Sequence, residues 1–144
     1  MRILILNGPN LNLLGIREPG IYGTESYREL CETIRRHCDG LGVLHSVFQS
    51  NHEGALIDAL HGAIGEYDGI VFNPAAYTHT SVAIADAVKA IGIPTVEVHR
   101  SDVSAREEFR QISYLRPACL GCISGKGFSG YLDAIDLLIS HLGG

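Results

Sequence analysis

Positive charge is scarce in this sequence. Its 144 residues carry 11 Lys plus Arg against 16 Asp plus Glu, a formal net charge of −5. That balance excludes an extended basic surface for nucleic acid. Lysine is rarer still, with only Lys89 and Lys126 beside nine arginines. Long apolar runs are missing as well, and none approaches the roughly 18 residues that a membrane span needs. The chain opens directly into a strand pattern, without a charged leader or a leader core. These absences lead to the expectation of a cytoplasmic protein with no nucleic-acid and no membrane partner. Linkers, low-complexity tracts and internal repeats are also missing. Residues 1–144 therefore read as a single domain, long enough to bury a sizeable core.

The four cysteines carry no evident chemistry. Cys31 and Cys38 are seven apart, a spacing that puts both on one helix face. Cys119-Leu-Gly-Cys122 has the spacing of a redox motif but falls in an expected strand. There an odd separation would send the two thiols to opposite faces. A redox pair belongs at a helix N-terminus, so a packing role is the reading.

What is present is an alternation of strand and helix. Strands are expected over 2–7, 42–49, 69–73, 95–99 and 118–123. Helices are expected over 26–38, 53–67, 81–91 and 129–142, with a short helical segment over 105–112. Ser26-x-x-Glu29 opens the first helix as a capping box, and Tyr27, Leu30, Cys31, Ile34 and Cys38 form its apolar stripe. The second helix carries Leu56, Ala59, Leu60, Ala63 and Ile64 on one face. Such alternation implies an α/β fold with a parallel sheet covered on both sides. Right-handed crossovers leave the flavodoxin-like three-layer fold, five strands in the order 2-1-3-4-5, as the leading topology.

In such sheets ligands bind beyond the carboxyl ends of the strands. Three polar groups fall there. Asn10, Asn12, Arg17 and Tyr22 follow strand 1, in a connection of about sixteen residues where two to six are usual. Asn73 and His79 follow strand 3, and Glu97, His99 and Ser101 end strand 4. Tyr22 lies five residues from Arg17 in a Gly/Pro-flanked stretch, about 16–23, with the character of a lid. A tyrosine needs a nearby cation to act as a base at neutral pH, and Arg17 is one. Glu97 and His99, two apart on a strand, face the same side. The carboxylate would orient the imidazole and favour its protonated, proton-donating form. His79, Glu97 and His99 lack the compact pairing of a zinc site, so no metal is expected. Neither a flavin-phosphate loop nor the acidic strand ends of a phosphorylation receiver are present. A base, an acid, an Asn pair for an oxyanion or water, and Arg and Ser for a carboxylate fit proton abstraction beside a carbonyl with loss of a leaving group. A related lyase or isomerase acting on another polyhydroxy acid fits the same set.

The segments Asn7-Gly-Pro-Asn-Leu-Asn-Leu-Leu-Gly15, Arg17-Glu-Pro19 with Tyr22-Gly23, Gln49-Ser-Asn-His-Glu-Gly54, Asn73-Pro-Ala-Ala-Tyr-Thr-His-Thr-Ser81, Glu97-Val-His99, Arg106-Glu-Glu-Phe-Arg110 and Gly125 through Tyr131 resemble, in order, the type II 3-dehydroquinate dehydratase family. The resemblance implies anti elimination of water from 3-dehydroquinate to 3-dehydroshikimate through an enolate, with no cofactor and no metal. That reaction serves aromatic biosynthesis, through the shikimate pathway, or quinate breakdown. It further implies Tyr22 as the base at C2, Arg17 as its activating partner, Asn10 as holder of a water at the enolate, and His99, oriented by Glu97, as the acid at the C1 hydroxyl. Asn73, His79 and Arg110 match substrate contacts, with Arg106 adding positive field. Arg100 and Ser101 match the carboxylate cradle, and Asp86 a residue that reaches a neighbouring subunit's site. The implied assembly is a homododecamer, a tetramer of trimers. Two positions depart from the family pattern: Arg100 stands where an aliphatic residue is usual, and Asp102 where Asn is usual.

Overall fold

A computed structural model describes residues 1–16 and 25–143. Five strands form one parallel sheet: β1 (Arg2–Asn7), β2 (Leu44–Gln49), β3 (Gly69–Asn73), β4 (Thr95–His99) and β5 (Gly121–Ser124), in the order β2-β1-β3-β4-β5. This is the expected topology. The register sets Asn7 beside Gln49 on one side and Asn73 on the other. Three polar residues thus share the carboxyl edge of the sheet.

Period-two alternation divides the core between the two faces of the sheet. Ile3, Ile5, Val71, Val96 and Val98 pack against helices α1 (Tyr27–Leu41) and α4 (Ser129–His141). Leu4, Leu6, Ile70 and Phe72 pack against α2 (Glu53–Gly62) and α3 (Val82–Ile91). Burial on both faces is what makes these strands read as nearly continuous apolar runs. Ser26 caps α1 by accepting from the Glu29 N–H at 3.1 Å, and Leu30, Ile34 and Cys38 of the expected stripe are fully buried. Ser81 caps α3 in the same way through the Ile84 N–H at 3.0 Å.

Several expected boundaries move. The first helix runs on to Leu41, because Gly42 takes the left-handed conformation (φ 68°) that ends it. Strand 2 accordingly begins at Leu44, not 42. The second helix stops at Gly62 instead of 67, and the chain turns through Gly65 at φ 77°. Ile64, expected on the buried stripe, is therefore exposed. The segment over 105–112 is not one helix but two single 3₁₀ turns, Val103–Ala105 and Glu108–Arg110. Strand 5 starts at Gly121, after a 3₁₀ turn at Arg116–Ala118 that contains Pro117. Cys119 thus lies in a turn and not in a strand, so the opposite-face argument does not hold. Cys122 pairs in register with Glu97, and Cys119 packs on the α2/α3 side of the sheet. Burial pushes the Cys119 thiol up to about 12 and raises Cys122 too, so both remain protonated thiols.

Candidate active site

The cleft lies where the topology predicts, beyond the carboxyl ends of β1, β3 and β4. It is lined by Asn10, Leu11, Asn73, Ala75, His79, His99, Arg100, Ser101, Arg106 and Arg110, together with Pro9, Ala76 and Val103. Of the expected site residues these include Asn10, Asn73, His79, His99, Arg100, Ser101, Arg106 and Arg110. Glu97 lies directly behind His99. Asp86 is on the exposed side of α3 and is not brought to this chain's cleft. Arg17 and Tyr22 lie outside the described residues.

Two walls with different chemistry meet at the sheet edge. Glu97 and His99 alternate with Val96 and Val98, so they project to the α2/α3 face. Glu97 is wholly buried, and its Oε2 lies 2.5 Å from His99 Nε2. Thr78 Oγ1 donates to the same oxygen at 2.6 Å. Ser113 Oγ reaches Oε1 at 2.9 Å and Oε2 at 3.0 Å. Burial drives the Glu97 carboxyl upward, but His99 and the two hydroxyls stabilise the anion more. The net result is a carboxyl below its ordinary value. With Nε2 committed to Glu97, Nδ1 is the His99 nitrogen left for a ligand. His79 Nδ1 donates to the Ile112 carbonyl at 2.7 Å, and its ring stacks on His99 with centroids 6.5 Å apart. Burial lowers the His79 pKa from its ordinary value. Thr78 and Ser113 were not singled out by the sequence. Thr78 sits inside the polar run after strand 3, whereas Ser113 has no sequence signal at all.

The opposite wall is a buried hydrogen-bond chain. Tyr131, fully buried on α4, donates its hydroxyl proton to Asn7 Oδ1 at 2.7 Å and accepts from Asn73 Nδ2 at 2.9 Å. Asn73 Oδ1 in turn accepts from the Ala75 N–H at 3.0 Å. The ends of β1 and β3 are thereby locked at the point where the cleft loops leave the sheet. The two loops touch: Gly8 N–H donates to the Asn73 carbonyl at 2.8 Å, and a Cβ on Gly8 would lie 2.5 Å from the Pro74 carbonyl oxygen. Asn10 occupies the left-handed region at φ 69°, which Asn tolerates better than most residues. Asn51 Oδ1 accepts its N–H at 3.0 Å, and Gln49 Nε2 donates to Gly8 O, Asn12 Oδ1 and Asn51 Oδ1 within 3.3 Å. Asn10 is thus presented by a braced loop. Gln49 and Asn51 supply the bracing, a role that their sequence segment alone did not reveal.

Among the described residues three arginines line the cleft, and they are not equivalent. Glu107 Oε2 is 2.6 Å from Arg110 Nε and 3.9 Å from Arg106 Nε. Arg100 leaves the sheet on the α1/α4 side, its guanidinium 4.8 Å from the Phe128 ring centre. The Asp102 carboxylate caps its own turn, taking the Ser104 N–H at 3.0 Å and hydroxyl at 2.6 Å. Among the described residues, no group of three or more His, Cys, Asp or Glu side chains could hold a metal ion.

This arrangement can hold an anion, position an acid with its own buried counter-charge, and present an amide side chain from a stiff loop. A family model described as Dehydroquinase class II matches residues 1–139. A 3-dehydroquinate dehydratase from Caldicellulosiruptor saccharolyticus is 54% identical over 143 residues, covering 99% of each chain. The crystal structure of a type II dehydroquinase from Butyrivibrio crossotus superimposes with a TM-score of 0.95 at 51% identity, over 96% of this chain and 97% of that one. A type II dehydroquinase from Propionibacterium acnes gives 0.92 at 40% identity, over 96% of each chain.

Proposed function

The chain belongs to the class II dehydroquinase family, and from that premise we propose that it removes water from 3-dehydroquinate to give 3-dehydroshikimate. The observation that carries this reading is the buried Glu97–His99 pair facing a cleft with Asn10, Asn73 and three arginines. In the proposed mechanism Tyr22, as phenolate beside Arg17, takes the C2 proton. The electron pair moves into the carbonyl to form an enolate, which a water held by Asn10 stabilises. Collapse of the enolate breaks the C1–O bond on the opposite face. His99 gives its proton to the departing oxygen, which leaves as water. Glu97 orients the imidazole by holding its Nε2. Asn73, His79 and Arg110 meet substrate hydroxyls and the carboxylate, Arg106 adds positive field, and Arg100 and Ser101 form the carboxylate cradle. Asp86 would serve a neighbouring subunit within a homododecamer, a tetramer of trimers, in the cytoplasm. Its exposure on α3 suits that role.

The test follows the conjugated enone of the product in the ultraviolet. The wild type should produce it, and no product from folded protein would refute the reading. Tyr22→Phe should lose turnover by about a thousandfold or more while retaining substrate affinity. A near-normal rate would remove Tyr22 from the role of base.

A further inference from the structure

Glu97 is wholly buried, so both of its carboxylate oxygens depend on partners within the chain. Oε2 has His99 Nε2 and the Thr78 hydroxyl on it. Among the described residues the donor to Oε1 is the Ser113 hydroxyl, at 2.9 Å. Proton counting fixes the roles. A carboxylate only accepts, so Thr78 spends its one proton on Oε2 and Ser113 has the proton left for Oε1. Ser113 Oγ also accepts from the Arg116 N–H at 3.0 Å. Its neighbours anchor it further. The Tyr114 N–H donates to the Thr78 carbonyl at 2.9 Å, the Ile112 carbonyl holds His79 Nδ1 at 2.7 Å, and Leu115 is buried in the core on the α2/α3 side. One short segment outside any helix or strand thus braces Glu97 and His79 together. Ser113 itself does not line the cleft.

We propose that Ser113 is a positioning residue for the acid of the reaction, its hydroxyl fixing the rotation of the Glu97 carboxylate so that Oε2 stays on His99 Nε2. The role rests on the function proposed above, in which His99 gives up the proton. The last torsion of a glutamate is broad, so its angle is set by what the two oxygens bind. Without Ser113, Oε1 is a buried charged acceptor with no donor. Turning the carboxylate toward the remaining hydroxyl relieves that oxygen and draws Oε2 off the imidazole. His99 then loses the partner that aims Nδ1 into the cleft. Because Ser113 stands behind the cleft, its loss should fall on turnover and spare binding.

Steady-state kinetics on 3-dehydroquinate with wild type, Ser113→Ala, Ser113→Thr, Glu97→Gln and the double variant provide the test. Ser113→Ala should lower kcat about five- to fiftyfold, with KM within about twofold of wild type. Ser113→Thr keeps the hydroxyl and should hold kcat within about threefold of wild type. Beside Glu97→Gln, the Ala substitution should cost less than about twofold, because a residue that acts through Glu97 has no carboxylate left to position. Should the Ala variant not fold, Ser113→Cys, with its weaker donor, is read in the same way. A kcat for Ser113→Ala within about twofold of wild type overturns the proposal and leaves Ser113 a residue of stability alone. A loss undiminished beside Glu97→Gln, or a folded Ser113→Thr no faster than Ser113→Ala, overturns it too. A wild type that does not turn over 3-dehydroquinate refutes the functional reading, and this inference with it.

Discussion

Glu97 accepts hydrogen bonds from an imidazole and two hydroxyls in a space closed to water, and its carboxyl sits below the ordinary value as a result. The sign of the pH effect follows. The unfolded chain takes up this proton near pH ~4.3, whereas the folded chain does so only at lower pH. The stabilisation is therefore full above that value and is lost as pH falls toward the folded one. Glu97→Gln should flatten the acid limb of a stability-against-pH curve measured by denaturant unfolding. It should also lower kcat by about tenfold to a hundredfold, because the amide no longer orients the imidazole as the carboxylate does. An acid limb as steep as the wild type's would show that other carboxyls carry it. The Glu97–His99 pair was legible from its spacing of two on a strand. The two hydroxyls were not, because Thr78 and Ser113 reach the carboxylate only after segments 19 and 16 positions away have packed around it.

At the scale of elements, the cleft depends on how closely the loops after β1 and β3 approach. Gly8 is there for space and not for backbone freedom, since a Cβ would meet the Pro74 backbone at 2.5 Å. Gly8→Ala should force the two loops apart and destabilise the fold by about 2 kcal/mol, read as a drop of several degrees in thermal midpoint. A midpoint unchanged within a degree or so would mean that the loops yield freely. Strand order was legible because alternation, crossover handedness and the polar strand ends agree. The borders of α2 and β5 were not. Apolar residues such as Ile64 continue the helical period past the helix end at Gly62, and the 3₁₀ turn at Pro117 interrupts a run that reads as strand. The approach of Gly8 to Pro74 is a contact between residues 66 positions apart, and no local pattern announces it.

For the whole molecule, exposed apolar residues are the notable surplus. Leu44 and Phe48 on the edge strand β2, Val82 on α3, and Phe109, Ile112 and Tyr114 beside the cleft are all exposed in the single chain. Large apolar side chains left exposed on a single chain are candidates for contact with a neighbour. Together with the exposed Asp86, they support the proposed homododecamer. Sedimentation equilibrium should return about twelve times the 15.5 kDa chain mass, and a monomer at micromolar concentration would refute that assembly.

The hydrogen bond between Tyr131 and Asn7 spans 124 positions, nearly the whole chain. Its consequence concerns the order of folding. β1 and β3 can pair as soon as residue 73 is made, but the hydroxyl that locks their polar ends arrives only with α4. Closing so distant a contact carries a large loop entropy and belongs late in folding. A nascent chain halted before residue 129 would own most of its sheet and every arginine of its cleft, yet no braced floor on which to do chemistry.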